Sequence, residues 1–400
     1  MNRNVCSMMI VSTCFASLAW AQQPLALGQR SPSTAADNNW TEYTRTNFQR
    51  WNPYETKLSV ETVPHLELKW TYTPGAQIYG SPAVLGNAVY AGSYDGNLYA
   101  WNAVTGAKLW SFSIGSWLFS SPAVANGAVY ISSVGGGSTG TVYAVNTTTG
   151  QQMWSYVTRY GSYSSPTVAN GVVYSGDWGG YLYALNARTG HLLWKYATGV
   201  QIWGAEAVVD GVVYVASENN SIYALNAATG AKMWSFATGS YIQSSPSVVD
   251  GVVYIGSDDG NLYALDSSTG AELWSFYTGG VVGQGTAAVA NGALFIGSLG
   301  GSVYSLNAST GDLLWSFATP GNVTSAPALA NGVVYISTES PTGSANYFYA
   351  LNAETGALLW RYKVDEEQGS SSFAVANGML YIGSGNLEAG TGKLYAFGVK

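Results

Sequence analysis

Four aromatic residues, Tyr79, Phe119, Tyr163 and Trp203, occupy one equivalent position in four successive stretches of the chain, three residues ahead of a recurring proline position. In the next four stretches that position holds Gln243, Gly283, Thr324 and Gly369. Aromatic faces stack on flat rings and on the apolar faces of sugars, so a run of aromatics followed by small or polar residues is a candidate ligand surface. Trp117, Trp178 and Tyr241 lie nearby in register, and Gln243, Gln284 and Gln368 supply amides. The same rings would equally serve as packing caps, and that reading stays open.

A second irregularity is Glu206, three residues after Trp203, where the corresponding positions hold Pro82, Pro122, Pro166, Pro246 and Pro327. A carboxylate buried alone is costly, so Glu206 should be hydrated or paired. It would be a polar anchor if it faces a channel, or a structural partner of an amide or Arg if it faces a neighbouring unit. Asp95, Asp258 and Asp259 sit in tight turns, where Asp is favoured for geometry. Calcium needs six to eight converging oxygens, which no local run supplies. The two histidines, His65 and His191, give little support to zinc or imidazole chemistry. Ser-His-Asp and phosphate-loop signatures are absent. No catalytic or metal-binding residue is assigned.

The elements that position these residues come from a repeat. Trp110, Trp154, Trp194, Trp234, Trp274, Trp315 and Trp360 each follow a Thr-Gly turn, with Trp70 upstream, at a period of about forty residues. One unit, SSPSVVDGVVYIGSDDGNLYALDSSTGAELWSF from Ser244 to Phe276, parses into four strands. They are Ser245–Val249, Val252–Ser257, Leu262–Asp266 and Ala271–Phe276, separated by glycine turns that return the chain antiparallel. Four strands per repeat make a propeller blade.

The third-strand tyrosines Tyr99, Tyr143, Tyr183, Tyr223, Tyr263, Tyr304, Tyr349 and Tyr395 count eight blades. The eighth repeat has no fourth strand, whereas Leu66–Tyr72 has the fourth-strand pattern with no blade before it. Pairing the two closes the ring and removes two open edges. The predicted fold is therefore an all-β, eight-bladed propeller over residues 60–400, preceded by a partly irregular lead-in at 22–59. A tryptophan recurring in every blade is a packing residue, expected against neighbouring turn glycines and tyrosines. The loop entering each innermost strand lines the channel mouth, so the aromatic column predicts a ring that is aromatic on one half only.

The unit Gly-x-Leu-Tyr-Ala-Leu-Asn/Asp-Ala-x-Thr-Gly-x-x-x-Trp resembles the repeat of the pyrroloquinoline-quinone (PQQ) propeller superfamily, over residues 60–400. Asn39–Tyr43, Arg50–Pro53 and Val63–Leu66 also resemble a degraded lead-in of its quinoprotein alcohol dehydrogenases. The resemblance implies one of two functions: a periplasmic dehydrogenase holding PQQ and Ca²⁺ in the funnel, or a non-catalytic propeller such as the BamB-type outer-membrane assembly scaffold. Fold does not choose between them. The dehydrogenase's adjacent cysteines have no counterpart after residue 21, and Gly204-Ala205-Glu206 carries the letters of the family's Gly-Ala-Glu loop on a first strand instead.

Residues 1–21 read as a signal peptide: Arg3, an apolar run from Met8 to Trp20, and Ala19-Trp20-Ala21 as the cleavage site. Both cysteines, Cys6 and Cys14, fall inside it, and Thr13 is a poor residue to precede a lipidated Cys14. Removing Arg3 leaves 14 of 15 basic residues against 22 acidic ones, a charge near −8 that disfavours nucleic acid. No later stretch is long and apolar enough to span a bilayer. The expectation is an exported, monomeric propeller that binds a small molecule or protein at its funnel face without catalysis of its own. A small PQQ- and Ca²⁺-dependent oxidoreductase and an assembly scaffold are the alternatives.

Overall fold

A computed structural model describes residues 38–45, 48–135, 139–340, 346–364, 371–385 and 390–400. The proposed signal peptide, Gln368 and Gly369 lie outside the described residues. Eight sheets follow one another along the chain, each with four antiparallel blade strands ordered from inner to outer, and the seventh gains two short strands, Trp51–Asn52 and Asn322–Val323. Blade five, for example, runs Ser247–Val249, Val252–Gly256, Asn261–Asp266 and Glu272–Tyr277. Its first hairpin turns on Asp250 and Gly251, both at positive φ (48° and 79°), the backbone that a two-residue type I′ turn requires.

The outer tryptophans join each blade to the next. Trp234 Nε1 donates to the carbonyl of Ser267 at 2.9 Å, and the Tyr214 hydroxyl donates to the same oxygen at 3.1 Å. The indole also covers the turn glycine of the next blade: a Cβ on Gly270 would lie 2.6 Å from the Trp234 ring. The same pair of donors converges on Ala187 from Tyr130 and Trp154, and on Ala227 from Tyr174 and Trp194.

Closure is as the sequence predicts. Glu67–Tyr72 pairs antiparallel with Leu394–Gly398, with Trp70 opposite Ala396 and Tyr72 opposite Leu394. Because blade eight takes its outer strand from 67–72, no Thr-Gly hairpin joins its third and fourth strands. The position equivalent to Ser267 is Val399, which follows the last strand without such a hairpin. The buried Tyr335 hydroxyl finds no partner among the described residues.

The lead-in has a structural job that the sequence did not disclose: it caps the inner edges of the blades. Trp40 forms an antiparallel bridge with Val84 of blade one, and Thr41 O accepts from Val124 N of blade two at 2.7 Å. The Glu42 carboxylate accepts from Val168 N of blade three at 3.3 Å. Further on, Gln49 O accepts from Val289 N, Arg50 O from Leu329 N, and Trp51–Asn52 runs parallel to blade seven's inner strand. Asn52 Nδ2 donates to Val375 O of blade eight at 2.8 Å. Phe48 packs in the cluster that holds Val208 and Val248 of blades four and five. Each innermost strand presents an unpaired edge to the axis, and this segment satisfies most of them.

Candidate functional site

Each blade's entering loop delivers its residues to the mouth in a fixed order. Tyr79, Phe119, Tyr163 and Trp203 come first, and two residues later Ser81, Ser121, Ser165 and Ala205 follow on the same face, as the two-residue period of extended chain dictates. These eight residues, with Tyr43, Gly80, Gly204, Gln243, Ser245 and Gln284, line one cavity of about 60 Å³.

The aromatics form a continuous contact chain. Ring centroids are 4.4 Å apart for Tyr79–Phe119, 4.2 Å for Phe119–Tyr163 and 4.4 Å for Tyr163–Trp203. Trp178 meets Tyr163 edge-on at 4.4 Å. Trp117, 57% exposed, stacks on Tyr94 at 5.3 Å with planes 13° apart, and Tyr94 in turn touches Tyr79 and Phe119. Tyr241 is 54% exposed. Trp117, Trp178 and Tyr241 do not line the cavity, so the ten expected site residues divide: six line it, three flank it, and Glu206 is elsewhere.

Glu206 is fully buried between blades three and four. Its Oε1 accepts from the Ser164 hydroxyl at 3.3 Å, its Oε2 has no partner among the described residues, and Thr167 Oγ1 donates to its backbone carbonyl. Of the two orientations open from sequence, the structure takes the inter-blade one, and Glu206 is no channel anchor. The physical reason is strand alternation: Trp203 and Ala205 face the cavity, so the next residue points the other way. Burial pushes its carboxyl up to about 8, against the weaker opposing effect of its hydrogen bonds.

On the far side from the aromatics, Gln243 Nε2 donates to Glu218 Oε1 at 2.8 Å. Asp258, whose Oδ1 has no partner among the described residues, is raised by burial and by the charge of Glu218. By contrast Asp95 and Asp259 are turn residues, each accepting from a tyrosine hydroxyl at 2.7 Å and from nearby backbone amides. His65 and His191 are exposed. Among the described residues no three His, Cys, Asp or Glu side chains converge as a metal site would need.

Sequence reading missed Tyr94, Glu218 and Tyr43. The first two occupy the position where blade three has Trp178 and blade five Asp258, so aligning the loops between second and third strands would have found them. Tyr43 belongs to the lead-in, outside the repeat, and no periodicity could place it.

The family model described as outer membrane protein assembly factor BamB matches residues 67–201, 197–284 and 259–399. No curated protein matches the sequence. Among solved structures, the quinohemoprotein alcohol dehydrogenase ADHIIG from Pseudomonas putida HK5 is similar at TM-score 0.77 and 16% identity, covering 90% of this chain and 80% of that one. BamB from Moraxella catarrhalis is similar at TM-score 0.67 and 20% identity, covering 82% and 99%. The computationally designed Ika8 protein reaches TM-score 0.70 at 19% identity, covering 81% and 97%. These likenesses show the fold alone. With its repeats matched from residue 67 to 399, the chain belongs to the PQQ-like β-propeller family described as outer membrane protein assembly factor BamB.

Proposed function

We propose that the protein is an exported binding module, without catalysis of its own, that takes a flat or sugar-like ligand on the aromatic half of its mouth. One observation carries the reading: Tyr79, Phe119, Tyr163 and Trp203 form an unbroken aromatic arc, faced by Gln243 and Gln284, where an evenly repeated ring would have no reason for two unlike halves. Trp117, stacked and exposed, extends the arc outward as a further platform. Rigid aromatic surface with a few amides at its border is what orients a ring-shaped ligand.

The residues present do not fit the PQQ and Ca²⁺ of a quinoprotein. None of the residues that line the cavity is a carboxylate that could hold Ca²⁺ beside a quinone, and among the described residues no cluster of His, Cys, Asp or Glu side chains supplies one.

The test is titration of the purified protein with a panel of oligosaccharides and planar aromatic acids, followed by tryptophan fluorescence and calorimetry. A ligand should bind with a saturable fluorescence change, and Trp203→Ala should weaken it at least tenfold. Binding that is indifferent to Trp203→Ala and Phe119→Ala would sink the proposal. The family match favours a second reading, a protein partner on the same face. It would show as loss of partner binding, with intact folding, in Trp117→Ala.

A further inference from the structure

The layer beneath the aromatic arc is a ring of hydroxyls linked from blade to blade. Ser81 N donates to Ser121 Oγ at 2.8 Å, Ser121 N to Ser165 Oγ at 2.9 Å, and Ala205 N to Ser245 Oγ at 2.8 Å. Ser372 N donates to Ser81 Oγ at 2.8 Å. A hydroxyl has one proton to give and two lone pairs to receive with. In Ser81, Ser121, Ser165 and Ser245 the oxygen receives a neighbour's amide, and among the described residues none of the four protons meets an acceptor. All four side chains are buried and line the same cavity.

Buried donors require acceptors. The lining contains no carboxylate to supply one, and the Gln284 amide at its border makes no side-chain hydrogen bond among the described residues. The local field also favours negative charge. Arg50 is fully buried against the ring of Tyr43, its Cζ 4.8 Å from the centroid, and Tyr43 lines the cavity. Its guanidinium donates to the carbonyls of Pro327, Phe373 and Tyr43, and no carboxylate among the described residues pairs with it. Burial raises the Glu42 carboxyl to about 8, so this nearby lead-in acid adds little negative charge at neutral pH.

We propose that the cavity ringed by Ser81, Ser121, Ser165 and Ser245 is a site for a small monovalent anion, a halide or a short carboxylate. Several hydroxyl donors around one cavity suit an ion with many lone pairs, and about 60 Å³ has room for a halide, formate or acetate. The rings and the serines line one cavity but are different side chains, so the serine variants leave the aromatic arc unchanged and each proposal can fail without the other.

The experiment has two readouts. Thermal unfolding is measured at fixed ionic strength while pivalate, a branched anion that is neither flat nor sugar-like and too bulky for the serine ring, is replaced by chloride, bromide, formate or acetate. Wild type should gain a saturable rise in melting temperature, and the double variant Ser121→Ala/Ser165→Ala should lose it. The relative rise with bromide and with acetate distinguishes halide from carboxylate. Crystals of the unaltered protein grown in bromide should show an anomalous peak within about 3.4 Å of at least two of the serine oxygens, a readout that does not require the variant to fold. Equal melting in all anions, or an equal rise in wild type and variant, with only water in the cavity, would overturn the assignment.

Discussion

Two carboxyls, Glu42 and Glu206, are buried with no cationic partner among the described residues, and burial raises each to about 8. In the unfolded chain a glutamate titrates near 4.3. Between those values the folded state holds more protons than the unfolded state, so stability falls as pH rises through this window. The contribution is complete below about pH 4 and lost progressively toward pH 8. Urea unfolding followed from pH 5 to 8 should show this decline, and Glu206→Gln should flatten it while stabilising the protein most at the alkaline end. A profile unchanged by Glu206→Gln would mean that the carboxyl is hydrated and ionised in the folded state. The sequence exposes Glu206 as a break in the proline column, and its direction was readable too. An odd offset of three residues from Trp203 sets the two on opposite faces of extended chain. What the sequence does not contain is the neighbour: Ser164 is forty-two residues away and meets Glu206 only because blades three and four pack together.

At the scale of the element, each blade-to-blade joint is one indole over one glycine. Gly270 holds φ at 75°, a backbone that L side chains rarely adopt, and its missing Cβ leaves the space that Trp234 fills. Gly270→Ala therefore combines backbone strain with overpacking and should cost about 2–4 kcal/mol. Trp234→Phe keeps most of the packing and removes only the Nε1–H bond to Ser267, for about 1 kcal/mol. The two should be measured as shifts in the urea midpoint. If Gly270→Ala proves milder than Trp234→Phe, the glycine is not what fixes the joint. Turns and strands were legible because the repeat states them eight times: Asp250-Gly251 and its counterparts force hairpins, and the Thr-Gly-x-x-x-Trp spacing marks the outer strand. The unpartnered Tyr335 hydroxyl was not foreseen, because the repeat places the same tyrosine in every blade and marks nothing different at the seam with blade eight.

For the whole molecule, the ring is held by two unlike uses of the segment that precedes blade one. Glu67–Tyr72 completes the outer edge of blade eight, and residues 38–52 cover the inner edges around the axis. The first was readable, since a surplus strand and an incomplete repeat account for each other. The second was not, since its contacts run from irregular chain to backbone amides, and backbone amides carry no sequence signature. The two uses make different demands on stability. Loss of the outer strand would break a blade, whereas loss of the inner segment leaves all eight blades intact and only uncaps them. A chain shortened to begin at residue 60 should therefore still form the propeller but lose protection at the amides of Val124, Val289 and Leu329, whose acceptors are Thr41, Gln49 and Arg50. Hydrogen exchange should quicken there by at least tenfold while the third-strand amides of the same blades exchange as before. Uniformly faster exchange throughout would instead make the lead-in part of the folding core, and unchanged exchange at these three amides would mean that the capping bonds add nothing to local stability.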